Sequence, residues 1–156
     1  MNQFKLPAEQ GDPLAQFNLV VTYYHGQGVP QDYAEAMKWY RLAAEQGLAA
    51  AQFSLGLMYH EGKGVPQDFG EAMKWVRLAA EQGNASAQSI LGGMYFLGQG
   101  VPQNFVHAYM WLNMAAEKSD SDEQKKIIEM RNFIAANMTT SQIHKAQKLA
   151  EEIHRK

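Results

Sequence analysis

Gly11, Gly47 and Gly83 are spaced 36 residues apart, and the chain that follows each of them repeats without a gap. Three units result, 11–46, 47–82 and 83–118, of which the first two agree at about two-thirds of their positions. Self-similarity at a period of 20–50 residues encodes units that cannot bury their apolar faces alone and do so by stacking on their neighbours. That constrains the fold to a stack of short repeats. It also points the function towards binding along an extended surface and away from chemistry in a closed pocket.

The second unit shows how one repeat folds. Ala51, Leu55 and Tyr59 recur at i, i+4 and i+8 with Gly56 beside Leu55, which is one face of a helix. Gly62 stands where a left-handed cap ends that helix, and Gly62-Lys63-Gly64-Val65-Pro66-Gln67 is too rich in Gly and Pro to continue it. Asp68 caps a second helix, with Glu71 three residues on as in a capping box. Ala72, Trp75, Ala79 and Ala80 form its inward face. Each unit is therefore a helix–loop–helix hairpin. Tyr23, Tyr59 and Tyr95 correspond, as do Trp39, Trp75 and Trp111, and these aromatics are expected in the core.

The pattern A-x-x-x-L-G-x-x-Y-x-x-G-x-G-V-x-x-D, followed by A-x-x-W-x-x-x-A-A-x-x-G, resembles the Sel-one-like repeat family, relatives of tetratricopeptide repeats. The resemblance covers residues 11–118. It implies an all-α fold, an α/α superhelical solenoid of three hairpin repeats stacked right-handedly, which usually acts as an adaptor for other proteins. Val20 departs from the pattern, because Gly56 and Gly92 occupy the matching places, and a branched side chain there is expected to loosen the first hairpin.

Phe17, Val21 and Tyr24 lie on the first helix but off its Ala15–Leu19–Tyr23 core face. Their counterparts are Phe53, Leu57 and His60, then Ser89, Gly93 and Phe96. In the tetratricopeptide-like arrangement that second face lines the concave surface. Phe17, Val21, Tyr24, Phe53, Leu57, His60 and Phe96 are accordingly the candidate partner-binding residues, for a protein or peptide held by apolar burial. The competing reading has the same residues packing between neighbouring first helices above a shallow groove.

The ends are different. Residues 1–10 read as a partial helix of a preceding repeat, since Phe4–Gln10 matches the second-helix ending Tyr40–Gln46. Either this stub is a minimal cap, open to self-association at that edge, or Met1 begins a piece of a longer protein. Beyond Lys118 the repeat pattern stops. Residues 119–156 read as two capping helices introduced by Ser121-x-x-Gln124 and Thr139-x-x-Gln142. Ile127, Ile128, Met130, Phe133 and Ile134 make the apolar side of the first, and Ile143, Ala146, Leu149 and Ile153 that of the second. The whole chain is expected to form a single solenoid domain.

Several function classes are disfavoured. A net charge of −2 with intermixed signs gives no basic footprint for nucleic acid, and no apolar run suits membrane insertion. There is no Cys, hence no disulfide, thiolate ligand or Cys nucleophile. Gly26-x-Gly28 and its copies lack the preceding strand and the Gly-Lys-Ser/Thr ending of a phosphate loop. The five histidines form no His-x-x-x-His pair, and Glu151-x-x-His154 is a fragment without a partner. No catalytic residue, metal or cofactor is expected. Some cysteine-rich members of the family are associated with β-lactam binding or slow hydrolysis. They supply an alternative, a small-molecule or peptidoglycan-type ligand binder with weak hydrolase activity, and a structural self-association module is a second. The chain reads as cytoplasmic if Met1 is the native start, and as periplasmic or secreted if an upstream signal has been removed.

Overall fold

A computed structural model of the chain describes residues 5–26 and 29–154, His154 by its backbone alone. Phe4 of the opening stub, Gly28 of the first loop and the His154 ring lie outside the described residues. All regular structure among them is helical, and the chain divides into two compact units, Met1–Ala79 and Ala80–Lys156.

The first unit begins with the short α1 (Lys5–Glu9), followed by α2 (Pro13–His25), α3 (Tyr33–Glu45), α4 (Ala49–Glu61) and the greater part of α5 (Phe69–Glu81). Three of these starts, those of α2, α3 and α5, are fixed by a side-chain cap. Asp12 accepts from the backbone N–H groups of Leu14 and Ala15, with Pro13 preset for the first turn. Asp32 and Asp68 accept from the N–H groups of Glu35 and Glu71, both at 3.1 Å. Gly26 and Gly62 end α2 and α4 at φ of 69° and 72°, a region that glycine enters without steric cost. The loops are then closed twice over. Gln31 and Gln67 donate their side-chain amides to the carbonyls of Tyr24 and His60, both at 2.8 Å. The N–H groups of Asp32 and Asp68 reach the carbonyls of Tyr23 and Tyr59, both at 2.9 Å.

The core of this unit gathers Ala15, Leu19, Val20, Ala36, Trp39, Ala51, Leu55 and Trp75. The tryptophans are buried as expected, whereas Tyr23 and Tyr59 are only half-buried against the cluster. Val20 does not loosen the hairpin; its exposure is 0%. A Cβ at Gly56 would come within 2.6 Å of Val76 Cγ2, so glycine is required where the facing residue is β-branched. The residue matching Val76 in the first repeat is Tyr40. Its Cβ is unbranched and its ring is directed towards Phe17, 5.9 Å between centroids, which leaves the space that Val20 fills.

The second unit comprises α6 (Ala85–Leu97), α7 (Phe105–Lys118), α8 (Ser121–Ala135) and α9 (Thr140–His154). Asn84 and Asn104 cap α6 and α7, and Gly98 ends α6 at φ 71°. The core here is Ala108, Leu112, Ala115 and Ala116 of α7 with Ile127 and Ile134 of α8. Met130 and Phe133, read from sequence as part of the same apolar side, are instead 44% and 62% exposed.

A buried glutamine in each repeat had escaped the sequence reading. Gln16, Gln52 and Gln88 donate to the carbonyls of Ala8, Ala44 and Ala80, each eight residues back, at 3.0, 3.2 and 3.1 Å. Gln124 does the same to Ala116 at 2.7 Å, again 36 residues further on. Asp120 caps α8 by accepting from the Glu123 N–H, in the place of Asp12 and Asn84. The expectation that Ser121 caps α8 is thus corrected, since Asp120 takes that place. Gln124 is drawn back to the preceding helix at the same spacing as the repeat glutamines. The second box holds as read, since Thr139 and Gln142 exchange backbone-to-side-chain bonds at 2.8 and 3.1 Å. Replacing Gln52 by Ala removes one of these links and should cost about 1–3 kcal/mol. Its urea midpoint, compared with that of an exposed Gln147→Ala control, checks the figure.

Candidate functional site

The six candidate residues of the first unit sit on α2 and α4, and all six are half-buried. Phe17 leans on Tyr40, and Phe17 and Tyr24 both pack against the core cluster. Tyr24 also meets Tyr33 at 5.1 Å and His25 at 5.1 Å. The ring of His60 lies 5.2 Å from Phe69, while its carbonyl is taken by Gln67. Phe53, Val21 and Leu57 complete the set. Phe96, the seventh candidate, belongs to the second unit and stacks on Phe105 at 5.7 Å, with Phe133 of α8 edge-on at 6.0 Å.

Within the first unit a cleft of about 180 Å³ is lined by Tyr24, Tyr40, Ser54, Leu57, Met58, Glu61 and Lys63. The 36-residue recurrence of the first-helix face had pointed to Tyr24 and Leu57, but not to the others. Lys63 comes from the loop after α4. Its ammonium donates to the Tyr24 hydroxyl at 3.3 Å, pairs with Glu61 at 3.1 Å and lies 5.9 Å from the Tyr24 ring centre. Contact with Glu61 first, and with Tyr24 second, holds its pKa above the usual lysine value. Burial raises the pKa of Tyr40 above the ordinary phenol value, a hydrogen bond from Ser54 partly offsetting it. Both groups therefore keep their protons across the neutral range. The cleft presents an apolar floor and a rim of hydroxyls, and its one cation is already paired.

Next to it, Arg41 donates to the Tyr59 hydroxyl and lies 5.9 Å from that ring's centre. The second unit repeats the 18-residue link with its polarity reversed, Arg131 donating to Asn113 at 2.7 Å. A larger cleft of about 520 Å³ lies between α1 and α3, on a floor of Trp39 and Gln16. Both floor residues are engaged in structural bonds, Trp39 to Glu35 at 3.2 Å and Gln16 to Ala8 and Gln46. Among the described residues no cluster of three or more His, Asp or Glu is placed to hold a metal ion. No helix among them is long and apolar enough to cross a membrane.

With that geometry in view, the comparisons with known proteins are specific. The family model described as Sel1 repeat matches residues 13–48, 49–84 and 85–120. A crystal structure of a protective antigen present in uropathogenic Escherichia coli strains, displaying an SLR fold, is 50% identical at a TM-score of 0.73. The match covers 75% of this chain and 25% of the antigen. A Sel1 repeat protein from Oxalobacter formigenes is 42% identical at a TM-score of 0.70, over 73% of this chain and 47% of that one. The chain thus spans between a quarter and a half of the length of these relatives. Among curated proteins none matches the sequence.

Proposed function

Because the chain belongs to the Sel1 repeat family, an all-α solenoid class whose members generally serve as interaction scaffolds, we propose that it binds a protein or peptide without catalysis. The contact face is that of α2 and α4. One observation carries this reading: six residues, three on each helix and 36 apart in pairs, are half-buried on the same face. Each of these side chains keeps part of its apolar surface in water, and the 36-residue spacing sets those parts side by side on one helix face. Partly exposed aromatic and aliphatic groups held by packing give area to a partner at small conformational cost. In the second unit Phe96 adds to an aromatic group with Phe105 and Phe133, and is proposed as a separate contact.

Both relatives are longer than this chain, and the proposal is confined to a contact face. The test is site-specific photo-crosslinking in cells of the source organism. A photoreactive residue at Leu57 is expected to give discrete protein adducts, and one at the exposed Leu78 of the same unit none. Identical adduct patterns from the two positions, or no adduct from Leu57, would sink the assignment of the face.

A further inference from the structure

We infer that the cleft between Tyr24 and Lys63 receives one uncharged, medium-sized apolar side chain of an extended peptide, whose main-chain carbonyls accept from the hydroxyls at the rim. The inference rests on the peptide-binding reading above and narrows it to a ligand class.

Volume decides first. Sites for whole small molecules run to about 300–1,000 Å³, while a cavity of about 150 Å³ accommodates a benzene ring. At about 180 Å³ this cleft suits one side chain on the scale of leucine, methionine or phenylalanine.

Charge decides next. Lys63 faces Glu61 at 3.1 Å, so the rim is neutral as a pair. A charged anchor placed here would be desolvated against Leu57 and Met58 without an unpaired counter-charge to receive it. An uncharged side chain incurs no such cost.

Hydrogen-bond capacity fixes the polar partner. The Tyr24 hydroxyl accepts from Lys63, so its own proton is free to be donated. Tyr40 and Ser54 share one hydrogen bond, which leaves one hydroxyl proton of that pair unspent. Beside these donors Glu61 spends one acceptor site on Lys63 and, as a carboxylate, keeps others. Donors and an acceptor around Leu57 and Met58 match a group that carries both kinds of polar partner beside an apolar side chain. The carbonyl and N–H groups of an extended peptide do this, because no intrapeptide helix bond consumes them.

A random-peptide display library panned against the full chain tests this, followed by titration of the synthetic consensus peptide. The enriched peptides should share one Leu, Met or Phe position flanked by uncharged residues. Leu57→Trp, which fills the cleft, should weaken the consensus peptide about tenfold or more, equivalent to about 1.4 kcal/mol. Tyr24→Phe, which keeps the ring and deletes one donor, should weaken it several-fold and stands in if Leu57→Trp fails to fold by circular dichroism. Raising salt to about 1 M should leave affinity nearly unchanged, since no unpaired charge is engaged. A consensus anchored on a charged residue overturns the ligand class. Peptides that bind both variants as tightly as wild type overturn the cleft while leaving the peptide-binding reading intact. A library with no enrichment over an unrelated helical protein overturns both.

Discussion

Trp75→Ala lowers stability by about 3–5 kcal/mol, the usual cost of emptying a buried aromatic site. Trp75 is 5% exposed and sits in the core cluster of the first unit with Trp39, Leu55 and Ala51. Its indole N–H has no hydrogen-bond partner, in contrast to that of Trp39, which donates to Glu35 at 3.2 Å. The loss on truncation is therefore one of packing, with no polar contact to break. Trp75→Phe should accordingly be much milder than Trp75→Ala, whereas for Trp39 the same replacement also deletes a hydrogen bond. Denaturant titration of the three variants reads this out. An unchanged midpoint for Trp75→Ala would take the ring out of the core.

Removal of residues 119–156 should produce a chain that aggregates or melts without cooperativity. Leu112 and Ala115 have 0% exposure in the second unit because Ile127 and Ile134 of α8 lie in the same cluster. The truncation also deletes the bonds from Gln124 to Ala116 and from Arg131 to Asn113. Stacked-repeat chains need a terminal covering for the last apolar face. Size-exclusion chromatography with a thermal melt gives the answer. A truncated protein that remained monomeric with its midpoint unmoved would make the tail an appendage.

The hairpins were legible in the sequence because their signals are local. A cap such as Asp68, a left-handed glycine such as Gly62 and an inward Ala–Trp–Ala face each act within a turn or two of helix. The recurrence at 36 residues then ruled out coincidence. Less legible were features that depend on a facing residue. Val20 could be judged only beside Tyr40, since a branched side chain is costly against Val76 but fits where the opposing Cβ carries a ring turned aside. Lys63 looked like one loop residue among Gly and Pro, and nothing in its neighbours states that its ammonium returns to Tyr24, 39 residues earlier. The buried glutamines were visible as Ala-Gln pairs at a fixed period. An amide is ordinarily read as a surface residue, and only burial beside a helix end reveals what it binds. Gln88 shows how finely this is set: its side-chain carbonyl lacks a partner, because Lys118 stands where Gln46 serves Gln16 and goes to the Gly83 carbonyl instead.

The glutamine links have a consequence for how such a chain can change in length. Each joins the first helix of a hairpin to the end of the helix before it, through an alanine carbonyl and an amide that are the same at Ala8–Gln16, Ala44–Gln52, Ala80–Gln88 and Ala116–Gln124. In this one link, though not in the Arg41–Tyr59 and Arg131–Asn113 contacts, the seams are chemically interchangeable. A gene can gain or lose one whole module of 36 residues by unequal exchange and still present each new junction with the donor and acceptor it requires. Insertion of a few residues between an alanine and its glutamine would strand both groups out of water, at about 1–3 kcal/mol for each one left unpaired. As far as this contact goes, a change in length by whole 36-residue modules leaves every such donor and acceptor paired, and any other increment does not.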